Sequence, residues 1–141
     1  MEDNLSFRYV VVGDDFTSAG EASSAVKKQL LQLGVKPDVI KRVAIAMYEG
    51  EINMVIHANG GTIDVYVSYD KIRIVLEDKG SGIVDVDMAM KEGYSTANEK
   101  VRELGFGAGM GLPNMKKYSD ELIIKTKLGT GTRVEMTINI K

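Results

Sequence analysis

Apolar and polar residues alternate, or β-prone residues cluster, in five segments of the chain, as expected for strands that bury one face. The segments are LSFRYVVV (5–12), TIDVYVS (62–68), KIRIVLED (71–78), ELIIKTK (121–127) and TRVEMTINIK (132–141). Two short turn segments, YD (69–70) and LGTG (128–131), join the second strand to the third and the fourth to the fifth. The pattern predicts one separate strand followed by two β-hairpins.

Apolar residues recur at helical spacing in two longer segments. The repeat is Ala19, Ala22, Val26, Leu30 and Leu33 in residues 13–34, and Val39, Ile40, Val43, Ala44, Met47 and Met54 in residues 36–61. The N-cap candidates of the first helix are Asp14, Asp15 and Thr17, and Gly34 stands where a glycine just past the helix end belongs. The second helix is expected to begin near Pro37 and to end at Asn59-Gly60-Gly61.

Two shorter helical candidates follow, at residues 84–91 and from about Leu112 to Tyr118. The order of elements is β-α-α-β-β, then a long loop with short helices, then α-β-β. Because the helices separate pairs of neighbouring strands rather than single strands, a doubly wound parallel sheet is disfavoured. We expect an α+β fold, a two-layer α/β sandwich with the helices on one face of a mixed, mostly antiparallel sheet.

Length and composition indicate one domain, residues 1–141, since 44% of the residues are hydrophobic and suit a single compact core. The 18 Lys and Arg nearly balance the 20 Asp and Glu, so charge does not indicate a nucleic-acid partner. The absence of cysteine excludes disulfides and thiolate metal sites. With a single histidine, any metal site would rely mostly on oxygen ligands.

The chain shows no targeting or membrane segment. Its start, MEDNLSFRYVVVGDD, is acidic and lacks the basic start and long apolar run of a signal peptide. No apolar run approaches the ~20 residues that a membrane helix needs. We therefore expect a soluble, cytoplasmic protein without a membrane partner.

Glycine occupies every second position from 105 to 111 in the segment GFGAGMGLPN (105–114). The segment is not a P-loop, because Leu112 and Pro113 follow the last glycine where a P-loop has Lys and Ser or Thr. Its spacing and late position also differ from a dinucleotide-binding fingerprint. An anion-binding loop at a helix N-terminus and a flexible surface loop remain equally open.

Two strand ends carry polar residues suited to a ligand. Asp78 ends a strand and is followed by Gly80 and Gly82 in DKGSG (78–82), so a ligand could approach the backbone and donate to the carboxylate. An ordinary turn explains the same residues and, on this segment alone, is favoured. Thr132 follows the turn LGTG and offers a hydroxyl to a ligand.

The second long helix carries a polar stripe of Glu49, Asn53 and His57, spaced four residues apart. An asparagine oxygen suits a Mg²⁺ ion that keeps waters and phosphate oxygens, and a glutamate one turn away suits a general base. A solvated helix face is the simpler explanation of the pair. His57 is more simply a structural or hydrogen-bonding residue than a catalyst.

The order of these motifs resembles the GHKL ATP-binding superfamily of gyrase, Hsp90, histidine kinases and MutL, with its Bergerat fold. The motifs are Glu-x-x-x-Asn (49–53), Asp-x-Gly-x-Gly (78–82), Gly-x-Gly-x-Gly (107–111) and Gly-Thr (131–132). They span nearly the whole chain, from about residue 5 to 140. The small size and the segment EGYSTANEKVRELGFGAGMGLPNMKKYSDEL (92–122) are similar to bacterial anti-sigma regulatory factors and switch-protein serine kinases, closest to the RsbT type, although ANEKVRELGF (97–106) is longer here.

The resemblance implies a site for ATP and Mg²⁺. It implies Glu49 as general base, Asn53 as Mg²⁺ ligand and Asp78 as the carboxylate that binds the adenine amino group. The other residues implied in nucleotide binding are Gly80 and Gly82 beside the adenine, Gly107, Gly109 and Gly111 at the phosphates, and Thr132 near the adenine. Residues of about 83–110 are implied to form an ATP lid, in which Ser95, Lys100 and Arg102 have no assigned role.

By the same resemblance, we expect a protein serine/threonine kinase that phosphorylates a STAS-domain antagonist in a partner-switching module. The alternative is a nucleotide-gated binding protein that sequesters a sigma factor or activates a PP2C-type phosphatase. A free-standing ATPase is a third possibility. A homodimer is expected for the anti-sigma type.

Overall fold

The computed structural model describes residues 5–13, 17–57, 60–78, 111–127 and 130–140. In chain order the elements in these ranges are β1 (Leu5–Val12), α1 (Glu21–Gln32), α2 (Pro37–His57), β2 (Gly60–Val67), β3 (Lys71–Asp78), α3 (Gly111–Tyr118), β4 (Glu121–Lys127) and β5 (Gly131–Asn139). They confirm the predicted strands and the three helices predicted for this part of the chain. The helical candidate at residues 84–91 lies outside the described residues.

The five strands form one sheet in the order β1-β2-β3-β5-β4. The sheet that we expected to be mixed is antiparallel in all four pairings between the described strands. The reason is the course of β5, which returns beside β3 in the opposite direction, with Asp78 opposite Thr132 and Lys71 opposite Asn139.

The helices cover one face of the sheet. Helix α2 lies against β1, β2, β3 and β5, while α1 and α3 pack on α2. One hydrophobic core fills the space between the layers. Its fully buried side chains include Val26, Leu30, Val43, Met47, Ile63, Ile72, Ile74, Met115, Met136 and Ile138. This arrangement confirms the α+β two-layer sandwich. In the part of the chain that the structure describes, no helix has both the length and the apolar character needed to span a bilayer.

The opposite face of the sheet is mostly polar and carries ion pairs between neighbouring strands. Arg8 of β1 bonds to Asp64 of β2 at 2.7 Å, and Arg73 of β3 bonds to Glu135 of β5 at 3.0 Å. Exposed pairs of this kind contribute only about 0–1 kcal/mol each. Their main consequence is for strand register, because a slip by one residue would turn these charges into the core.

The N-terminus of α1 differs from the prediction, while its C-terminus agrees. The N-cap residue is Gly20, with a left-handed φ of 96°. Of the predicted candidates, Thr17 lies three residues earlier, and Asp14 and Asp15 lie outside the described residues. The physical reason is that a buried glutamate of α2, described below, takes the place of a local cap. Gly34 follows the helix with φ of 79°, as predicted for a glycine that ends it.

Candidate functional site

Helix α2 approaches the sheet closely at Gly50. A Cβ atom at this position would collide with Cδ2 of Leu76 on β3. Leu76 is part of the core and only 3% exposed, so it has little room to move away. The absence of a side chain therefore allows the segment of α2 around Glu49 to lie directly over the end of β3.

Glu49 and Asn53 lie one turn apart on α2, as their spacing predicts, and both are half-buried. Asn114 of α3 donates a hydrogen bond from Nδ2 to Oε2 of Glu49 over 2.9 Å. Burial raises the pKa of the Glu49 carboxyl, and the hydrogen bond from Asn114 opposes part of that rise. No ion pair to Glu49 is found within the described ranges. A half-buried carboxylate held by a neutral donor is suited to accept a proton.

Glu51 leaves α2 on a different side from Glu49, because residues two apart on a helix are separated by about 200°. It is 2% exposed. Its Oε2 accepts from the N–H groups of Gly20 and Ala22 at 2.9 and 3.2 Å, and its Oε1 accepts from the N–H and hydroxyl of Ser23 at 3.0 and 2.7 Å. The first N–H groups of α1 thus already have an anionic partner. Our sequence reasoning missed this residue.

Asp78 and Thr132 lie side by side where β3 ends and β5 begins. Asp78 lies two residues from Leu76 and Thr132 two residues from Val134, and residues two apart in a strand share a face, so both face the helix layer. Oδ1 of Asp78 accepts from the backbone N–H of Thr132 over 3.2 Å. The hydroxyl of Thr132 lies 2.9 Å from that of Thr126 on β4, and Thr132 is 8% exposed. The two predicted adenine-binding residues are therefore direct neighbours at one end of the sheet.

Strand β2 connects the α2 segment that carries Glu49 and Asn53 with the end of the sheet that carries Asp78 and Thr132. Gly61 of β2 is opposite Asp78, and a Cβ atom on Gly61 would lie 2.6 Å from Cε of Met54. Met54 directly follows Asn53 on α2. The C-terminal half of α2 therefore covers the end of the sheet that carries Asp78. The residues predicted for one site, as far as the structure describes them, lie at the same end of the fold.

Gly111 is the first residue of α3, so the glycine-rich segment does lead into a helix N-terminus. The first turn of α3 contains no acidic residue. The remaining predicted glycines, Gly80, Gly82, Gly107 and Gly109, lie outside the described residues, as does the predicted lid at 83–110. Their roles stay predictions.

A groove between α1 and α2 leads to Glu49. Its lining includes Gly20, Ser23, Lys28 and Tyr48 as well as Glu49 itself. The ring of Tyr48 would lie 3.1 Å from a Cβ atom on Gly20, so the glycine keeps the two helices close at this point. Burial, and then the nearby carboxylates of Glu49 and Glu51, raise the pKa of Tyr48. Glu49 thus lies at a surface groove between the two helices.

Asn53 can hold a metal ion only if a bound phosphate and waters supply the other ligands. Within the described ranges, no three or more His, Asp or Glu side chains are grouped so as to hold a metal ion. One amide oxygen from Asn53, with Glu49 one turn away, does fit a Mg²⁺ ion that keeps waters and phosphate oxygens as its other ligands.

Comparison with proteins of known sequence gives one consistent relationship. Residues 14–138 match the histidine kinase-like ATPase domain family. An anti-sigma F factor of Thermoanaerobacter sp. (strain X514) is 33% identical over 121 residues, which are 82% of this chain and 81% of that protein. The serine/threonine-protein kinase RsbT of Bacillus subtilis (strain 168) is 31% identical over 98 residues, which are 67% of this chain and 68% of the kinase.

Among solved structures, the RsbU and RsbW domains of a Mycobacterium tuberculosis protein superimpose with a TM-score of 0.61 at 15% sequence identity. The match covers 96% of this chain, which spans 32% of that longer chain. At this identity the likeness shows the fold alone, and it agrees with the two-layer sandwich described above.

Proposed function

The chain belongs to the histidine kinase-like ATPase family, in its group of anti-sigma factors and switch-protein serine kinases, and on this premise we propose that it is an ATP-dependent protein serine/threonine kinase. Its proposed substrate is a STAS-domain antagonist protein of a cytoplasmic partner-switching module. One observation carries the proposal. Glu49 is a half-buried carboxylate held by the neutral amide of Asn114, and it lies in the lining of the groove between α1 and α2.

The proposed adenine site is the end of the sheet at Asp78 and Thr132. The hydroxyl of Thr132 lies 2.9 Å from that of Thr126, and either hydroxyl can be the donor. A hydroxyl oxygen can accept as well as donate, and the carboxylate of Asp78 beside it is an acceptor. Two neighbouring acceptors suit an exocyclic amino group, which donates two hydrogen bonds.

The proposed phosphate site is the N-terminus of α3, which begins at Gly111. Two helix N-termini adjoin α2 in the described part of the chain, and they differ in charge. That of α1 is occupied by the carboxylate of Glu51, which would repel an anion. The first turn of α3 has no acidic residue, so its N–H groups and positive dipole end favour phosphate binding. Gly107 and Gly109, just before this helix, are proposed to bind the same phosphates.

The proposed chemistry places Glu49 as general base and Asn53 as a ligand of Mg²⁺. Bound ATP and Mg²⁺ supply the phosphoryl group and neutralise its charge. Glu49 would receive the proton of the acceptor hydroxyl as the hydroxyl oxygen bonds to the γ-phosphorus, while the bond from that phosphorus to the bridging oxygen breaks and ADP leaves. Asn53, one turn further along α2, would hold Mg²⁺ through its amide oxygen. The chain thus contributes mainly orientation and electrostatics, the main sources of catalysis in phosphoryl transfer.

The second candidate function is a nucleotide-gated binding protein. The relatives named anti-sigma F factor favour it, because such a protein would bind a sigma factor. A PP2C-type phosphatase is the other partner that we consider. A binder of this kind, which we expect to be a homodimer, has no need of a general base. The spacing of Glu49 and Asn53, one turn apart on α2, therefore favours the kinase.

The test begins with capture of partners on the tagged full chain in the presence of ATP and Mg²⁺, followed by mass spectrometry for partner identity and phosphorylated residues. Transfer from ATP to the captured partner is then measured for the wild type, for Glu49→Gln and for the exposed control Glu121→Gln. We expect Glu49→Gln to abolish transfer, the control to transfer normally, and both to bind ATP.

Two outcomes would contradict the assignment in different ways. Transfer by Glu49→Gln at the wild-type rate would remove Glu49 as the base. Capture of a partner that depends on ATP but never carries phosphoserine or phosphothreonine would favour the binding protein instead.

A further inference from the structure

Asn114 is the residue of α3 that contacts Glu49, and neither the family resemblance nor the spacing of motifs points to it. It lies three residues after Gly111, the first residue of α3. Leu112 and Met115 on either side are 7% and 1% exposed and anchor α3 in the core. Asn114 is half-buried between them, and its Nδ2 donates to Oε2 of Glu49 over 2.9 Å.

An ordinary structural role explains Asn114 poorly. Asparagine is a weak helix former, and this one lies inside the helix rather than at its N-cap. The apolar contacts of Leu112 and Met115 already hold α3 on α2. What the amide adds is a donor aimed at a carboxylate 65 residues earlier in the chain.

We propose that Asn114 is a positioning residue that orients the Glu49 carboxylate for proton transfer. This inference rests on the proposed kinase function. The amide holds Oε2 and leaves Oε1 to receive the proton of the acceptor hydroxyl. Because Asn114 belongs to the helix whose N-terminus is the proposed phosphate site, the same short element sets the direction of the base and the place of the phosphates.

The pKa of the Glu49 carboxyl depends on the hydrogen bond from Asn114, so a measured pKa tests this contact. Burial raises the pKa of Glu49, and the hydrogen bond from Asn114 lowers it. The charged and titratable groups that line the groove together with Glu49 are Tyr48 on α2 and Glu21, Lys27 and Lys28 on α1. Glu51 lies two residues further along α2, and Lys116 and Lys117 lie in the last turn of α3. Removal of Asn114 leaves all of them in place, so any rise in the Glu49 pKa comes from the lost hydrogen bond.

The first test is a carbon-13 NMR titration of the glutamate carboxyl groups in the full chain, without nucleotide or acceptor. Glu49→Gln identifies the Glu49 signal. We expect the titration midpoint of the Glu49 signal to move to higher pH in Asn114→Ala. It should stay unchanged in the control Gln32→Ala, which removes an exposed amide at the C-terminus of α1. If Asn114→Ala loosens α3, judged by thermal melting, Asn114→Leu keeps a similar volume without the donor.

The second test compares phosphoryl transfer by the same variants across pH. We expect the maximal rate of Asn114→Ala to fall roughly tenfold or more, with an unchanged KM for ATP and with the acidic limb of the rate profile moved to higher pH. A helix that merely packs less well would lower stability without moving that limb.

An unchanged Glu49 midpoint overturns the inference, as does a loss of rate with the acidic limb in its original place. The two tests also separate this inference from the proposed function. If the wild type transfers no phosphoryl group to any captured partner, the kinase assignment fails, while a shifted midpoint still establishes that Asn114 controls the Glu49 carboxylate.

Discussion

Ser23 donates both its backbone N–H and its hydroxyl to one carboxylate oxygen of Glu51, at 3.0 and 2.7 Å. The other oxygen accepts from the N–H groups of Gly20 and Ala22. A side chain of α2 therefore caps α1, and the cap joins the two helices that line the groove leading to Glu49.

This cap predicts a large loss of stability in Glu51→Gln. The amide keeps one acceptor, but its NH₂ group would face N–H donors, and a buried donor left without a partner costs about 1–3 kcal/mol. We expect a loss of about 2–3 kcal/mol in the free energy of unfolding by urea denaturation. Ser23→Ala, which removes only the hydroxyl, should lose about half as much. Equal stability of Glu51→Gln and wild type would contradict the cap.

The close approach of α2 to β3 predicts that Gly50→Ala destabilises the fold. In an exposed helix this substitution stabilises by about 1 kcal/mol. Here the new methyl group would collide with Leu76, and overpacking of a core typically costs about 1–3 kcal/mol. We expect a net loss of about 1 kcal/mol in urea denaturation. Combining it with Leu76→Ala should cost less than the sum of the two single variants, whereas strict additivity would argue against the contact.

The strands could be predicted because each buries one face. In β3, the core residues Ile72, Ile74 and Leu76 alternate with Arg73 and Glu77, which fixes both the element and its register. The pairing of Glu49 with Asn53 was equally accessible, since a four-residue spacing on a helix places two residues on one side. Local rules of this kind account for most of the fold.

The remaining features depend on contacts between distant parts of the chain. The N-cap rule applies to residues near the helix start and predicted Asp14, Asp15 or Thr17. The carboxylate that accepts from the first N–H groups of α1 belongs instead to Glu51, 28 residues after Ser23. One signal was available, because Glu51 follows Met47 by four residues and so belongs to the stripe of α2 that faces the core. The antiparallel course of β5 beside β3 depends on strand order, which alternation does not reveal.

We predict that Asp120 contributes a small amount to the free energy of unfolding and that this contribution disappears in acid. Its Oδ2 accepts from the backbone N–H of Asn139 at 2.7 Å and from Arg42 at 2.9 Å, and these contacts, the backbone bond first, lower the pKa of its carboxyl. A lowered pKa stabilises the fold above the usual aspartate range, and the effect is lost as pH falls through the folded value. We expect Asp120→Asn to cost less than about 1 kcal/mol at pH 7, because the group is solvent-accessible. Urea denaturation at descending pH should show the difference from wild type closing, and a constant difference would contradict it.

We predict that the contribution of Glu49 to the stability of the fold has the opposite pH dependence to that of Asp120. Burial raises its pKa, so the folded state favours the protonated carboxyl, and this favourable contribution is lost as pH rises through the folded value. At neutral pH, Glu49→Gln should therefore melt at a higher temperature than wild type, although it is expected to transfer no phosphoryl group. The difference should narrow as pH falls from the raised folded value toward the usual glutamate range, and should stay constant below that range. Differential scanning calorimetry at several pH values checks this, with Glu121→Gln as the exposed control. A Glu49→Gln variant that is less stable at pH 7 would contradict the sign.

We predict that Asp78→Asn lowers the affinity for nucleotide without unfolding the protein. Asp78→Asn keeps an oxygen that can accept from the N–H of Thr132, so the junction of β3 and β5 should remain intact. The charge that would strengthen a hydrogen bond from the adenine amino group is removed, and a charge-assisted bond is about twice as strong as a neutral one. We expect ATP to bind roughly tenfold to a hundredfold more weakly by isothermal titration calorimetry, equivalent to about 1.4–3 kcal/mol.

The neighbouring residue on the opposite face of the same strand supplies a matched control. Glu77 points away from the helices and lies 3.6 Å from Arg133, so Glu77→Gln removes a carboxylate one position away without touching the proposed adenine site. Its affinity for ATP should equal that of the wild type. If Asp78→Asn binds ATP as tightly as Glu77→Gln, Asp78 does not bind the adenine, and its role is limited to holding the end of β3 to β5.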